Sequence, residues 1–183
     1  MRPDLDRWLP EPGLRVYHRR ESTASPERLW DAARGVTLRD ARLLGRLVRW
    51  RLPGTPAHIT FDELFRRQPF LVLQEGEEFT VSGLVGRIWT LRRDYPPLGD
   101  AGEFEAFSQR GSARVVFAHW VEPAGGSRSA LVSEARVEAI GMQGRLGVRA
   151  IRPLVSRFQG LIGNDGIGAA VRRAEQGPGL RSD

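Results

Sequence analysis

Apolar and polar positions change period twice along this chain. Residues 14–22, LRVYHRRES, have the composition of a strand. From residue 25 to residue 67 the apolar positions recur at helical spacing. Residues 70–140 then read almost entirely as strands, and helical spacing returns in 144–174. In that last stretch Ile151, Val155, Phe158 and Ile162 step by four, three and four, which is one face of a helix. Arg145, Arg149 and Arg152 form a second stripe on another face. A two-sided helix needs a surface to lie against. The pattern therefore predicts an α+β domain in which an antiparallel sheet is closed over by one long C-terminal helix.

Local signals place the other elements. Ser25 caps a helix with Pro26 at its first position and Gly35 at its end. Thr37 and Asp40 have capping-box spacing and predict a second helix running to about Trp50. It carries Arg39, Arg42, Arg46 and Arg49 on one stripe and Leu43, Leu44, Leu47 and Val48 on the other side. Thr60 and Glu63 open a short third helix, which Pro69 stops. Strands are predicted at 70–74, 78–89, 103–109, 112–122 and 127–140, with Gly83 and Gly86 marking a bend or bulge. In the last strand Leu131, Ser133, Ala135, Val137 and Ala139 alternate with Glu134, Arg136 and Glu138, which predicts one dry face and one wet face. Glu134 and Arg136 then read as a cross-strand or diagonal ion pair on the wet side. Residues 1–13 form a lead-in whose Trp8 and Leu9 either tuck against the body or belong to a loose tail. Residues 14–175 form the domain, and 176–183 a C-terminal tail. The Gly-rich run 163–168 interrupts the closing helix.

Composition adds bounds. At 183 residues, 40% hydrophobic, the chain is long enough for one domain with a real core. No apolar run reaches membrane-span length, and the N-terminus has no signal-peptide core, so the expectation is a cytoplasmic protein. The absence of cysteine excludes disulfides and thiolate chemistry. All 28 basic residues are arginine and the formal charge is +6. The arginines are scattered without interleaved aromatics, which argues against a nucleic-acid surface.

The order of elements and a few segments resemble a known family. The stretch Glu21-Ser22-Thr23-Ala24-Ser25-Pro26-Glu27-Arg28-Leu29-Trp30 is similar to a strand entering a capped helix. Ser133-Glu134-Ala135-Arg136-Val137 and the closing helix follow the same plan. Over about residues 14–174 the chain resembles the Bet v 1-like, START-domain (SRPBCC) superfamily, within it the bacterial polyketide cyclase/dehydrase and lipid-transport group. The resemblance implies a helix-grip fold, in which a curved antiparallel sheet wraps around the long C-terminal helix. It further implies a cavity between the two for lipids, sterols or polyketides. The Gly-rich interruption at 163–168 departs from typical members and puts the continuity of that helix in question.

Residues expected to line the cavity are Phe79, Val81, Trp89, Val115, Phe117, His119, Ser133, Ile151, Val155 and Phe158. His119 shares the dry side of its strand with Val115 and Phe117, and an imidazole there can move a proton near neutral pH. Tyr95 is the second catalytic candidate, with Tyr17 and Arg87 as other polar groups that could serve. Trp120 alternates with His119 and is expected to face outward, where exposure would suggest a dimer contact. His18, His58 and His119 have no ligand spacing, so no metal is expected, and no nucleotide fingerprint or hydrolase elbow calls for a cofactor. Arg39, Arg42, Arg46 and Arg49 form a candidate docking face for an acidic carrier protein or an anionic membrane surface. Two principal readings follow: a module that binds a hydrophobic or amphipathic ligand, or a polyketide cyclase/dehydratase acting on a carrier-tethered or free aromatic precursor. A third is a module that binds nucleic acid or an acidic protein through the arginine stripe.

Overall fold

The computed structural model describes residues 2–90, 92 and 94–176, with the side chains of 154 and 156–164 excepted. The predicted tail beyond Gln176 therefore lies outside the described residues. In chain order the elements are β1 (Leu14–Ser22), α1 (Pro26–Arg34), α2 (Arg42–Arg51), α3 (Phe61–Phe65), β2 (Leu71–Gly76), β3 (Phe79–Gly86), α4 (Ala101–Ala106), β4 (Ser112–Pro123), β5 (Ser129–Ile140) and α5 (Gly141–Leu161). A π-helical stretch, Ile162–Ile167, joins α5 to α6 (Gly168–Gln176). The five strands make one antiparallel sheet in the order β1-β5-β4-β3-β2. The fold is thus α+β, with a C-terminal helix following the sheet.

Caps explain most of the helix starts. The Ser25 hydroxyl accepts from the Arg28 amide at 3.4 Å with Pro26 at the head of α1. Thr60 and Glu63 make a reciprocal capping box at α3. Thr37 and Asp40 also bond reciprocally, but around a turn. The second helix begins later than predicted, at Arg42, because Leu38 is pinned in the body, its amide donating to the Ile59 carbonyl at 3.0 Å. Arg39 accordingly sits in the turn, off the helix. The N-terminus of α2 lacks its own side-chain cap, and Asp165 supplies an acceptor to the Leu43 amide at 3.0 Å. A carboxylate there also faces the positive end of the helix dipole.

Three predicted elements need correction. Residues 101–106 form a helix, not a strand: Asp100 accepts from the Glu103 amide at 2.9 Å, and Glu103 accepts from the Gly99 amide at 2.7 Å. Phe104, fully buried, anchors it, and the Gly83 backbone leaves room for that ring. β3 ends at Gly86, which takes φ 132°. The register shift falls in β2 between Val72 and Gln74, while Gly83 pairs regularly. The Gly-rich run at 163–168 does not stop the closing helix; it widens it into the π stretch and α6 continues.

The sheet has no wet face in its middle. Trp8 and Leu9 tuck in, and with Leu5 and Phe104 they cover the side carrying Phe79, Val81, Val85, Val116, Ala118, Trp120 and Val132. Trp120, expected outside, is 1% exposed, and its indole donates to Glu122 at 3.1 Å. Glu134 and Arg136 are buried on this side as well. Arg136 bonds Glu134 at 2.7 Å, Asp6 at 2.6 Å and the Leu9 carbonyl at 2.9 Å. Arg15, diagonal to Glu134, makes two bonds to its carboxylate, at 2.7 and 2.9 Å. Burial alone would raise the Glu134 carboxyl, but the two guanidiniums outweigh it and hold it below the ordinary range.

Candidate functional site

The opposite face of the same strands walls a cavity of about 490 Å³, within the usual size of small-molecule sites, roughly 300–1,000 Å³. Strand register stacks its sheet wall in three rungs. Leu14, Val137, Val115 and Leu84 make an aliphatic rung, and Val16, Ala135 and Phe117 make the next, with Ser82 in register beside Phe117 but off the lining. His18, Ser133, His119 and Thr80 make the third, one polar residue from each of four strands. The other walls come from α2 (Leu44, Val48, Arg51), α5 (Ile151, Val155) and α3 (Phe61, Leu64, Phe65), with Ile167 and Ala170 beyond them.

The polar rung is electrically quiet. Nε2 of His18 and of His119 is buried without a protein partner, as is the Ser82 hydroxyl. Burial pushes the His119 imidazole down to about 4, with the Asp62 carboxylate pulling weakly the other way. Burial also lowers His18. Both rings are therefore neutral at pH 7, each with one nitrogen able to donate and one able to accept. The Phe65 ring lies 5.2 Å from His119, tilted, and 5.3 Å from Phe117. Near this end Arg34 and Asp62 approach to 3.8 Å, and Asp62 also bonds Arg66. Unpaired buried polar nitrogens are costly in a plain core. Both Nε2 atoms are closed off, and the rung borders the cavity with its other side-chain atoms.

The predicted site residues divide by strand phase. Val115, Phe117, His119, Ser133, Ile151, Val155 and Tyr95 line the cavity. Phe79 and Val81 do not: they pair with Trp120 and Ala118 and lie in the opposite core. Thr80 and Leu84 take the places expected of them, because β3 is apolar on both sides and alternation alone could not choose the phase. Trp89 is half-buried against Gly147 of α5, whose missing side chain makes room for the indole, and it is absent from the lining. The side chain of Phe158 lies outside the described residues. Burial raises the Tyr95 phenol, and the Arg51 guanidinium, 4.9 Å from its ring, draws it back. Tyr17 is 44% exposed on the other face, and Arg87 pairs with Asp94 at 3.5 Å, so neither reaches the cavity. His18 is the residue missed as a site candidate; its alternation with Leu14 and Val16 was the available signal. Arg42, Arg46 and Arg49 are exposed on α2, with no acid partner among the described residues.

No helix among the described residues is long and apolar enough to cross a membrane. The architecture and its cavity define an α+β protein with an apolar, partly open chamber. No family model matches the chain, and no curated protein matches it in sequence. Among solved structures it is similar to the Zhui aromatase/cyclase of Streptomyces sp. R1128, at 18% identity over 91% of this chain and 99% of that one, TM-score 0.39. It is also similar to truncated norcoclaurine synthase of Thalictrum flavum, at 11% identity over 89% and 91%, TM-score 0.40. A hypothetical protein of Helicobacter pylori matches at 9% identity over 96% of each chain, TM-score 0.41.

Proposed function

We propose that this is a helix-grip protein that binds one small, mostly apolar molecule bearing a hydroxyl or carbonyl group. The observation that carries the reading is the cavity of about 490 Å³ with the His18–Ser133–His119–Thr80 rung on its wall. Aliphatic and aromatic side chains take the body of the ligand by burial. The rung sets polar side chains from four strands along one side of an otherwise apolar wall, which favours one orientation of the ligand. Titration with the apolar fluorophore anilinonaphthalene sulfonate tests this. The protein should bind one equivalent, and Ala135→Trp, which fills the middle rung, should abolish it while the fold persists. Unchanged binding in that variant would place the probe elsewhere and sink the proposal.

A second reading is favoured by the paired imidazoles. Two neutral histidines on either side of Ser133 could position a poly-β-carbonyl substrate and pass a proton during aldol closure or dehydration. Tyr95 also lines the cavity and could serve as a further donor. Turnover of such a substrate that falls at least about a hundredfold in His119→Gln, with retention unchanged, would select the enzyme. Loss of retention with no turnover in either protein would select the carrier.

A further inference from the structure

The cationic surplus of this chain is not spread over it. Residues 41–61 and 139–164 are its two longest stretches without an acid, and together they hold eight arginines. The rest of the chain sets 20 arginines against 22 acids, so the entire positive excess belongs to those two stretches. They contain α2 and α5, two helices that wall the cavity away from the sheet.

Exposed large apolar side chains gather on the same two helices. Among the described residues six are exposed: Leu43 at 48%, Leu47 at 36%, Trp50 at 65%, Met142 at 78%, Leu146 at 62%, and Tyr17 elsewhere. Leu43, Leu47 and Trp50 step by four and three along α2, and Arg42, Arg46 and Arg49 run beside them at the same spacing. Met142 and Leu146 alternate with Arg145 and Arg149 on α5 in the same way. Leu44 and Val48 occupy the inward side of α2. That helix therefore has an apolar side turned to the cavity, a second apolar stripe in the open, and cations beside it. An ordinary solvated helix exposes polar residues of both signs.

We propose that α2, with the start of α5, docks the protein on an anionic lipid bilayer. The arginines meet lipid phosphates, and Leu43, Leu47 and Trp50 enter the boundary between headgroups and acyl chains. An acidic protein would satisfy the arginines, but the adjacent open apolar stripe with its tryptophan matches the layered polarity of a bilayer surface better. Docking would set the cavity wall against the reservoir in which apolar ligands dissolve. The surface argument goes beyond the ligand reading and does not require it.

Co-sedimentation with vesicles of phosphatidylcholine, with and without phosphatidylglycerol, at low and high salt, tests the surface alone. The protein should partition onto the anionic vesicles, less so at high salt. Arg42→Glu with Arg46→Glu should weaken partition at least about tenfold. Trp50→Ala should weaken it several-fold, and Trp50 should lose accessibility to an aqueous quencher on binding. All these side chains are exposed, and thermal melts confirm that the variants fold. No partition at low salt would overturn the proposal. So would partition unchanged by Trp50→Ala, or capture by an acidic carrier protein in place of vesicles. Cavity occupancy is read separately with the fluorophore, so either proposal can fail without the other.

Discussion

The two faces of the sheet are made by the same strands and are finished in opposite ways. On one face Val116, Ala118, Val132 and Trp120 meet Trp8, Leu9 and Phe104, and the charges beneath them are paired. On the other, Val115, Phe117, Ala135 and His119 border the cavity, and the Nε2 atoms of His18 and His119 are left without partners. Adjacent residues of β4 thus belong to a closed core and to a chamber. The first face is packed shut, with Trp8 Nε1 left unpaired within it; the second borders a space that a ligand can use.

The largest effects should come from breaking the closed face. Glu134 is buried between Arg15 and Arg136, so Glu134→Ala strips the buried Arg136 of one of its two carboxylates, leaving only Asp6, and should cost about 3–5 kcal/mol by denaturant unfolding. The same variant should loosen residues 2–9, because Arg136 ties Asp6 and Leu9 to the sheet. Faster amide exchange or proteolysis there would register it.

Next is acidification, which acts on the open face. The unfolded His119 imidazole titrates near 6.5 and the folded one near 4. Between those values the unfolded chain binds a proton that the folded chain does not. Stability is therefore intact above pH 6.5 and lost as pH falls toward 4, by about 3 kcal/mol at most. His18, lowered in the same direction, adds to the loss. His119→Leu should flatten this window when unfolding is followed across pH; a slope unchanged from the native protein would mean His119 is solvated.

The smallest expected effect is the sharpest comparison. Val115 and Val116 are both buried, at 2% and 0% exposure. Val116→Ala opens a void in a packed core and should cost about 2 kcal/mol, whereas Val115→Ala enlarges an existing chamber and should cost under about 1 kcal/mol. Equal losses would remove the distinction between the faces.

How far the sequence discloses this follows from the range of each signal. Caps and periodicity are local, so β1, α1, α3 and the paired β4 and β5 are legible in it. The strand expected at 103–109 is a helix over 101–106, whose start Asp100 and Glu103 spell at capping spacing. The closed face was hidden because Arg136 finds Asp6 across 130 residues, and no local pattern reports such a cover. Half of the site was legible through the alternation of His119 and Ser133. The other half, His18, alternates with Leu14 and Val16, but which side of β1 faces the cavity is settled by its register beside β5.

Native mass spectrometry of the purified protein beside Ala135→Trp, each mixed with anilinonaphthalene sulfonate, tests the central claim most directly. A one-to-one complex with the native chain and none with the variant, both folded, is the predicted result. A probe-free native chain, together with a variant destabilised by the few kcal/mol typical of overpacking, would show that the space beside Ala135 is filled and would contradict the account.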